Sequence, residues 1–249
     1  MRVLVVLPTY NEAENIPNML ERVRAALPDA QVLVVDDNSP DQTADLAEKS
    51  AERLGQIEVL RRPGKSGLGS AYRDGFRWGL ERGYEVLVEM DSDFSHDPDA
   101  LPALVAPQAQ GVDVVIGSRY VPGGSIPDWS LSRRLISRGG NLFADWMLGL
   151  RVKDSTAGFR AYSAEILGRI NLDSIRADSY GFQVEMTYRT LQAGATLEEV
   201  PIRFVDRTLG TSKMSTYTVV EAFGLVTWWG LLRVGHKMAG LTKRGARAV

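Results

Sequence analysis

Asp91-Ser92-Asp93 places two carboxylates one residue apart, directly after the largely apolar run Val86–Met90. Two carboxylates at a strand end can meet around a hard cation. Mg2+ or Mn2+ accepts one or two of them and takes its other ligands from substrate phosphates and water. A solvated acidic turn explains the same residues. A second cluster, Asp36-Asp37-Asn38-Ser39, follows the apolar Val32–Val35. A carboxylate there could accept hydrogen bonds from a nucleobase N–H or a ribose hydroxyl. Alternatively, Ser39 or Asp41 caps the next helix. Pro8-Thr9-Tyr10-Asn11-Glu12 leaves the first apolar run, Val3–Leu7. Tyr10 could stack on a base, but the spacing reads better as a capping box with Thr9 as N-cap and Glu12 at N3.

Cations gather elsewhere: Lys65, then Arg119, Arg133, Arg134, Arg138, Arg207 and Lys213. Arginine forks suit phosphate oxygens and lysine supplies a point charge. Arg207 and Lys213 lie on one glycine-containing loop, as in a lid that closes on an anion. The segment Arg62–Gly69 is not a phosphate loop, because Val59 stands where that pattern needs glycine. Lys65 could still serve a nucleotide. No strand-linked G-x-G-x-x-G is present, which argues against a dinucleotide dehydrogenase. His96 and His236 stand apart from any serine or cysteine arrangement, so a nucleophilic triad has no support.

These clusters need a scaffold that brings them together. Val3–Leu7, Val32–Val35, Ile57–Leu60, Val86–Met90 and Val112–Ile116 read as strands. Helices are expected over Glu12–Ala26, from about Gln42, and over Leu68–Arg82. Alternation of this kind predicts a mostly parallel α/β sheet covered by helices on both faces. Ligands then bind beyond the carboxyl ends of the strands, where the clusters fall, with Ser118 and Arg119 as the fourth. The second half is less regular. Leu131–Leu148 reads as a helix with an apolar stripe of Leu135, Leu142, Trp146 and Met147. Asp154–Tyr162 mixes turn and strand signals, Phe182–Gln192 reads as a helix and Leu197–Phe204 as a strand.

The 249 residues suffice for one large α/β domain. With no cysteine there are neither disulfides nor thiolate metal sites. A net charge of -2 gives no expectation of nucleic-acid binding. Val3–Leu7 is too short for the apolar region of a signal peptide.

The chain resembles the family-2 glycosyltransferases of the GT-A fold and, within them, the dolichol- or polyprenol-phosphate mannosyltransferases. The resemblance rests on PTYNE at Pro8–Glu12, VVDDNSP at Val34–Pro40, DSDFSHD at Asp91–Asp97 and GSRY at Gly117–Tyr120. More specific are WSLSRRLISRGGN at Trp129–Asn141, DSTAGFRAY at Asp154–Tyr162 and FVDRTLGTSKM at Phe204–Met214. It implies a GT-A catalytic domain over 1–215, with a Rossmann-like, mostly parallel mixed sheet. Pro8, Tyr10, Glu12 and Asp37 would line the nucleotide pocket, joined by Asn11, Val35, Asn38, Lys65 and Ser92. Asp91 and Asp93 would hold one Mg2+ or Mn2+ and the donor diphosphate. Some relatives have a glutamine two residues after the second aspartate; Ser95 stands here, so water would replace that ligand. Arg119, Arg133 and Ser137 would hold the acceptor phosphate, and Arg207 and Lys213 would close over both phosphates. The implied donor is GDP-mannose and the implied acceptor a polyprenyl monophosphate, with inversion to a β-mannosyl phosphate. A UDP-sugar donor, such as UDP-glucose, is the nearest alternative. A non-catalytic nucleotide-binding module that recruits a membrane partner is another.

A polyprenyl acceptor sits in a bilayer. Thr216–Gly240 offers Val219, Phe223, Trp228, Trp229, Leu231 and Leu232, followed by a basic tail. Tryptophan at an interface and cations near anionic lipid suit peripheral attachment. The expectation is therefore a C-terminal appendage over 216–249 that binds the cytoplasmic face of a membrane or docks to an integral-membrane partner. Packing of this helix on the domain core is the alternative.

Overall fold

The computed structural model describes residues 1–175, 177, 180–206 and 223–231. Seven strands form one sheet: β1 (Val3–Thr9), β2 (Gln31–Asp36), β3 (Ile57–Arg61), β4 (Val86–Glu89), β5 (Val114–Ser118), β6 (Arg160–Ser163) and β7 (Leu197–Pro201). Their order is β3-β2-β1-β4-β6-β5-β7. All neighbours run parallel except β6, which is antiparallel to both β4 and β5. The ends of β1, β2, β4 and β5 therefore share one edge.

Side chains alternate across the sheet with period two. Val3, Val5 and Leu7 pack with Ile16, Met19, Leu20 and Val23 of α1 (Ile16–Ala26) and with Ala47 of α2 (Thr43–Leu54). Leu4 and Val6 face the other way, onto Tyr72 and Phe76 of α3 (Leu68–Glu81). A short α4 (Leu101–Val105) joins the first layer. Parts of α5 (Leu131–Leu148), α6 (Ala164–Arg169) and α7 (Tyr180–Gln192) join the second. Both faces are covered, as expected of a largely parallel sheet.

Helix α3 approaches the sheet through glycines. A Cβ on Gly79 would lie 2.6 Å from Leu4 Cδ2 and 2.7 Å from Leu87 Cδ2, and one on Gly75 would collide with Val6 Cγ1. Alanine normally stabilises a helix interior by roughly 0.5–1 kcal/mol over glycine. Here overpacking, typically about 1–3 kcal/mol, dominates. Gly75→Ala is expected to lower the urea midpoint, since the branched Val6 cannot swing aside; an unchanged or raised midpoint would contradict this packing.

Several boundaries differ from expectation. Helix α1 begins at Ile16 rather than Glu12, and the capping box does not form. Thr9 is instead the last residue of β1, its Oγ1 donating to Asp36 Oδ1 at 2.9 Å. Asn11 turns left-handed at φ 59°, a conformation a right-handed helix cannot run through. Ser39 does not cap α2; its hydroxyl donates to Asp36 Oδ1 at 2.6 Å. Nor is Asp41 the N-cap: Gln42 holds that position with no side-chain bond, and Asp41 Oδ1 accepts from Thr43 N at 3.1 Å from one residue further back. Strand β5 starts two residues later than expected and includes Ser118. Strand β7 ends at Pro201, after which Arg203 and Phe204 make only isolated bridges to Ser125 and His96.

Helix α5 has the expected bounds, but its stripe faces outward. Leu135, Leu142 and Trp146 are exposed, the fourth stripe residue, Met147, packs against the core, and Asn141, Ala144 and Leu148 form the buried face. The helix over 223–231 lies alongside. Phe223 meets Phe143 with ring centroids 5.0 Å apart, Gly230 abuts Met147 and Val226 is buried in the core. Part of the C-terminal segment thus does pack on the domain. The remainder of 216–249 lies outside the described residues.

Candidate active site

The turns after β1 and β2 are tied to one another before any ligand is considered. Asp36 Oδ2 accepts from Ser39 N at 2.9 Å, while Asn11 N donates to Ser39 Oγ at 3.0 Å and Glu12 N to Thr43 Oγ1 at 2.9 Å. The Glu12 carboxylate accepts from Asn15 Nδ2 at 2.8 Å. Asn11, Asn38 and Phe94 all adopt positive φ near 60°. For phenylalanine that conformation is uncommon, and such strain collects at ligand sites.

Asp37 is buried and paired with Arg62, whose Nη1 donates to Oδ1 at 2.5 Å. Arg62 also reaches Asp74 Oδ2 at 2.9 Å and Ser70 Oγ at 2.5 Å. Arg62 thus holds the Asp37 carboxylate in place. Lys65 Nζ stands 4.5 Å from the centroid of the Tyr10 ring, so two candidates named separately come together in a cation–π contact. Val35 is fully buried and packs toward α3, so only its backbone can meet a ligand. Ser92 is buried and its hydroxyl donates to the Pro8 carbonyl at 3.0 Å, which ties the end of β4 to β1.

Asp91 and Asp93 flank this tie. Tyr72 donates to Asp91 Oδ1 at 3.0 Å, and Ser95 N donates to Asp93 Oδ1 at 3.0 Å. Ser95 thus meets Asp93 through its backbone. Among the described residues no third carboxylate or imidazole joins the pair to make a protein-only metal cage. Two hard oxygen donors on one tight turn fit a cation that draws its other ligands from diphosphate and water. Beneath them lies Glu89, fully buried, its carboxyl pushed up to about 8 by burial, which outweighs the opposing charge of Arg160 3.6 Å away. Arg160 donates to the Ala157, Gln183 and Ser155 carbonyls and to Thr187 Oγ1, all within 3.0 Å. The arginine of the GFRAY segment therefore braces the loop before β6.

The acceptor candidates are placed differently from one another. Arg119 is buried and bidentate to Asp154, with Nε–Oδ2 at 2.7 Å and Nη2–Oδ1 at 2.6 Å; it also donates to Thr156 Oγ1 at 2.8 Å. Its guanidinium is framed by Trp129 and Phe204. This makes Arg119 first a wall of the site. Arg133 lies 3.9 Å over the Trp129 ring and pairs with Asp206 at 2.7 Å, while Trp129 Nε1 donates to the same carboxylate at 2.8 Å. Ser137 Oγ accepts from Tyr120 OH at 2.7 Å. His96 stacks on Phe159 and meets Phe204 edge-on; burial pushes it down to about 4, so it is a neutral packing ring. A chain of ring contacts thus runs from His96 past Phe204 and Trp129 to Arg133. Arg207 and Lys213 lie outside the described residues.

Sequence reasoning missed Tyr72, Arg62, Asp154 and Asp206 as partners of the site. Tyr72 sits on an apolar helix stripe, and nothing in its spacing marks it. Asp154 and Asp206 lie inside the DSTAGFRAY and FVDRTLGTSKM segments, and those were the available signal.

The mixed sheet with one reversed strand is GT-A-like, and the Asp91/Asp93 turn lies at its strand edge. Residues 4–170 match the family described as Glycosyl transferase family 2, and the chain belongs to it. It is 54% identical to an undecaprenyl-phosphate mannosyltransferase of Micrococcus luteus, over 93% of this chain and 95% of that one. It is 46% identical to the polyprenol monophosphomannose synthase of Mycolicibacterium smegmatis, over 92% and 87%. In fold it is similar to glucosyl-3-phosphoglycerate synthase from Mycobacterium tuberculosis. The complex of that enzyme with phosphoglyceric acid gives TM-score 0.65 at 20% identity, covering 94% of this chain and 80% of that one. A complex of the same enzyme with Mn2+, UDP and glucosyl-3-phosphoglycerate gives 0.63 at 20% identity, covering 93% and 79%.

Proposed function

We propose that the chain transfers mannose from GDP-mannose to a polyprenyl monophosphate, yielding a polyprenyl β-mannosyl phosphate and GDP. The observation that carries this is the 54% identity to an undecaprenyl-phosphate mannosyltransferase along nearly the whole of both chains. An acceptor phosphate monoester has a second pKa of about 6 and is largely anionic at neutral pH. Its oxygen attacks the anomeric carbon, the bond from that carbon to the diphosphate oxygen breaks, and the electron pair leaves with GDP. No side chain has to remove a proton, which agrees with a site whose histidine is buried among rings. The chain must instead hold two anions in line, so positioning and electrostatics dominate.

Tyr10, Lys65 and the Asp37–Arg62 pair would receive the nucleoside. Asp91 and Asp93 would hold Mg2+ or Mn2+, which when bound neutralises charge on the leaving diphosphate. Arg133 and Ser137 would receive the acceptor phosphate, with Arg207 and Lys213 closing over both phosphates. Incubation with GDP-mannose or UDP-glucose in turn, with polyprenyl phosphate in detergent, tests the donor. Glycosylated lipid is expected from GDP-mannose; product from UDP-glucose alone would replace the donor and leave the site standing.

Peripheral attachment to the cytoplasmic face of a membrane belongs to the same proposal. Among the described residues no helix is long and apolar enough to cross a membrane. Helix α5 nevertheless turns Leu131, Leu135, Ile136, Leu142 and Trp146 outward, each 61 to 76% exposed, and Trp228 and Leu231 are exposed on the neighbouring helix. The same α5 carries Arg133 and Ser137, so a lipid-facing surface and the phosphate ligands share one rigid element. Immersing a leucine side chain contributes about 1.5–3 kcal/mol. The double substitution Leu135→Asp with Leu142→Asp is therefore expected to weaken co-sedimentation with phosphatidylglycerol vesicles about 100-fold or more. Unchanged binding would remove α5 from the membrane contact, and deletion after Thr216 would then locate it.

A further inference from the structure

The geometry points to Tyr72 as a positioning residue for Asp91: its phenol fixes the carboxylate in the orientation that receives the divalent cation. This rests on the assignment of Asp91 to the cation proposed above. Tyr72 is fully buried on α3, and its ring lies between Phe76 and Phe182, with centroids 6.1 and 6.0 Å away. Stacking alone would be served by phenylalanine. Only the hydroxyl requires tyrosine, and it donates to Asp91 Oδ1 at 3.0 Å. The other oxygen, Oδ2, faces Gly158, where an added Cβ would lie 3.8 Å away. One carboxylate oxygen is thereby pinned from below by a rigid ring.

Partners of this kind set the orientation of a liganding group, and their removal typically weakens metal binding about 10–100-fold. Tyr72 touches no reacting atom, so its effect should appear in cation affinity.

The test is Mn2+ titration by electron paramagnetic resonance on the full chain with GDP, and again with UDP, comparing the unsubstituted protein, Tyr72→Phe and Asp91→Ala. Tyr72→Phe should bind Mn2+ about 10–100-fold more weakly. Its melting temperature should fall by no more than the loss of one bond to a carboxylate, roughly 3–12 °C, because the stack is kept. In turnover, the Mn2+ concentration for half-activation should rise by the same factor, with most of kcat recovered at saturating Mn2+. Unchanged Mn2+ affinity in Tyr72→Phe, with Asp91→Ala impaired, would overturn this inference and leave the metal assignment intact. A loss of kcat that saturating Mn2+ does not restore would also overturn it. If the unsubstituted protein bound no Mn2+ with either nucleotide, both the metal assignment and the role of Tyr72 would fall.

Discussion

Asp93→Ala is expected to lower mannosyl transfer to polyprenyl phosphate by about 100- to 1,000-fold or more, the loss usual when a group that stabilises transition-state charge is removed. The substitution removes one of the two carboxylates proposed to hold the cation against the donor diphosphate. It also removes one turn contact, the 3.0 Å bond from Ser95 N. A single neutral-to-charged bond at a partly exposed turn contributes about 1.5–3 kcal/mol. In a domain of this size that is worth roughly 3–12 °C in melting temperature, so the protein should fold. Kinetics and calorimetry on the same preparation separate the two effects. Near-normal transfer by a folded Asp93→Ala protein would remove this residue from the site.

The second large effect is on stability. Arg119 and Asp154 form a bidentate pair whose side chains are 4% and 0% exposed. Asp154 also accepts from Arg119 N at 3.0 Å, so it holds both backbone and side chain at the end of β5. Removing one partner of a buried pair strands the other charge, at about 3–5 kcal/mol. Asp154→Ala should therefore lower the melting temperature by roughly 6–20 °C. Transfer should fall as well, because Arg119 forms part of the wall built from Trp129 and Phe204. A drop of only a degree or two would mean that the pair is hydrated in solution.

The contrast between these residues shows what could be read from the chain. The Asp91/Asp93 turn was legible because the two carboxylates stand one residue apart and follow a largely apolar strand. Parallel strands end at one edge, so the alternation of elements was enough to bring Pro8–Glu12, Asp36–Ser39 and Ser118 to the same place. The reversed β6 was less legible, since Asp154–Tyr162 carries turn and strand signals together and its direction is set by partners on both sides. Arg119 showed a lone cation after a strand; its partner lies 35 residues away, and pairing at that separation leaves no local trace.

Helix α5 shows a different limit. Its bounds were readable from helical periodicity; the structure adds a cap, Ser130 Oγ accepting from Arg133 N at 3.3 Å. The direction of its apolar stripe was not, because periodicity reveals that a helix has two faces without saying which meets the core. Asn141 and Ala144 let the helix lie close to the domain, with Leu148 also buried, while Leu131, Leu135, Ile136, Leu142 and Trp146 turn outward. At Thr9, a capping box and a strand ending in a hydrogen bond to Asp36 share the same local spacing. The left-handed Asn11 chooses the second.

The most direct test of the account is formation of labelled lipid from GDP-[14C]mannose and a polyprenyl phosphate in detergent, with and without Mg2+ or Mn2+. The prediction is cation-dependent label in the lipid fraction, released as β-mannosyl phosphate. A well-folded protein that forms no glycosylated lipid from any nucleotide sugar, with cation and membrane present, would contradict it and leave a nucleotide-binding module in place of an enzyme.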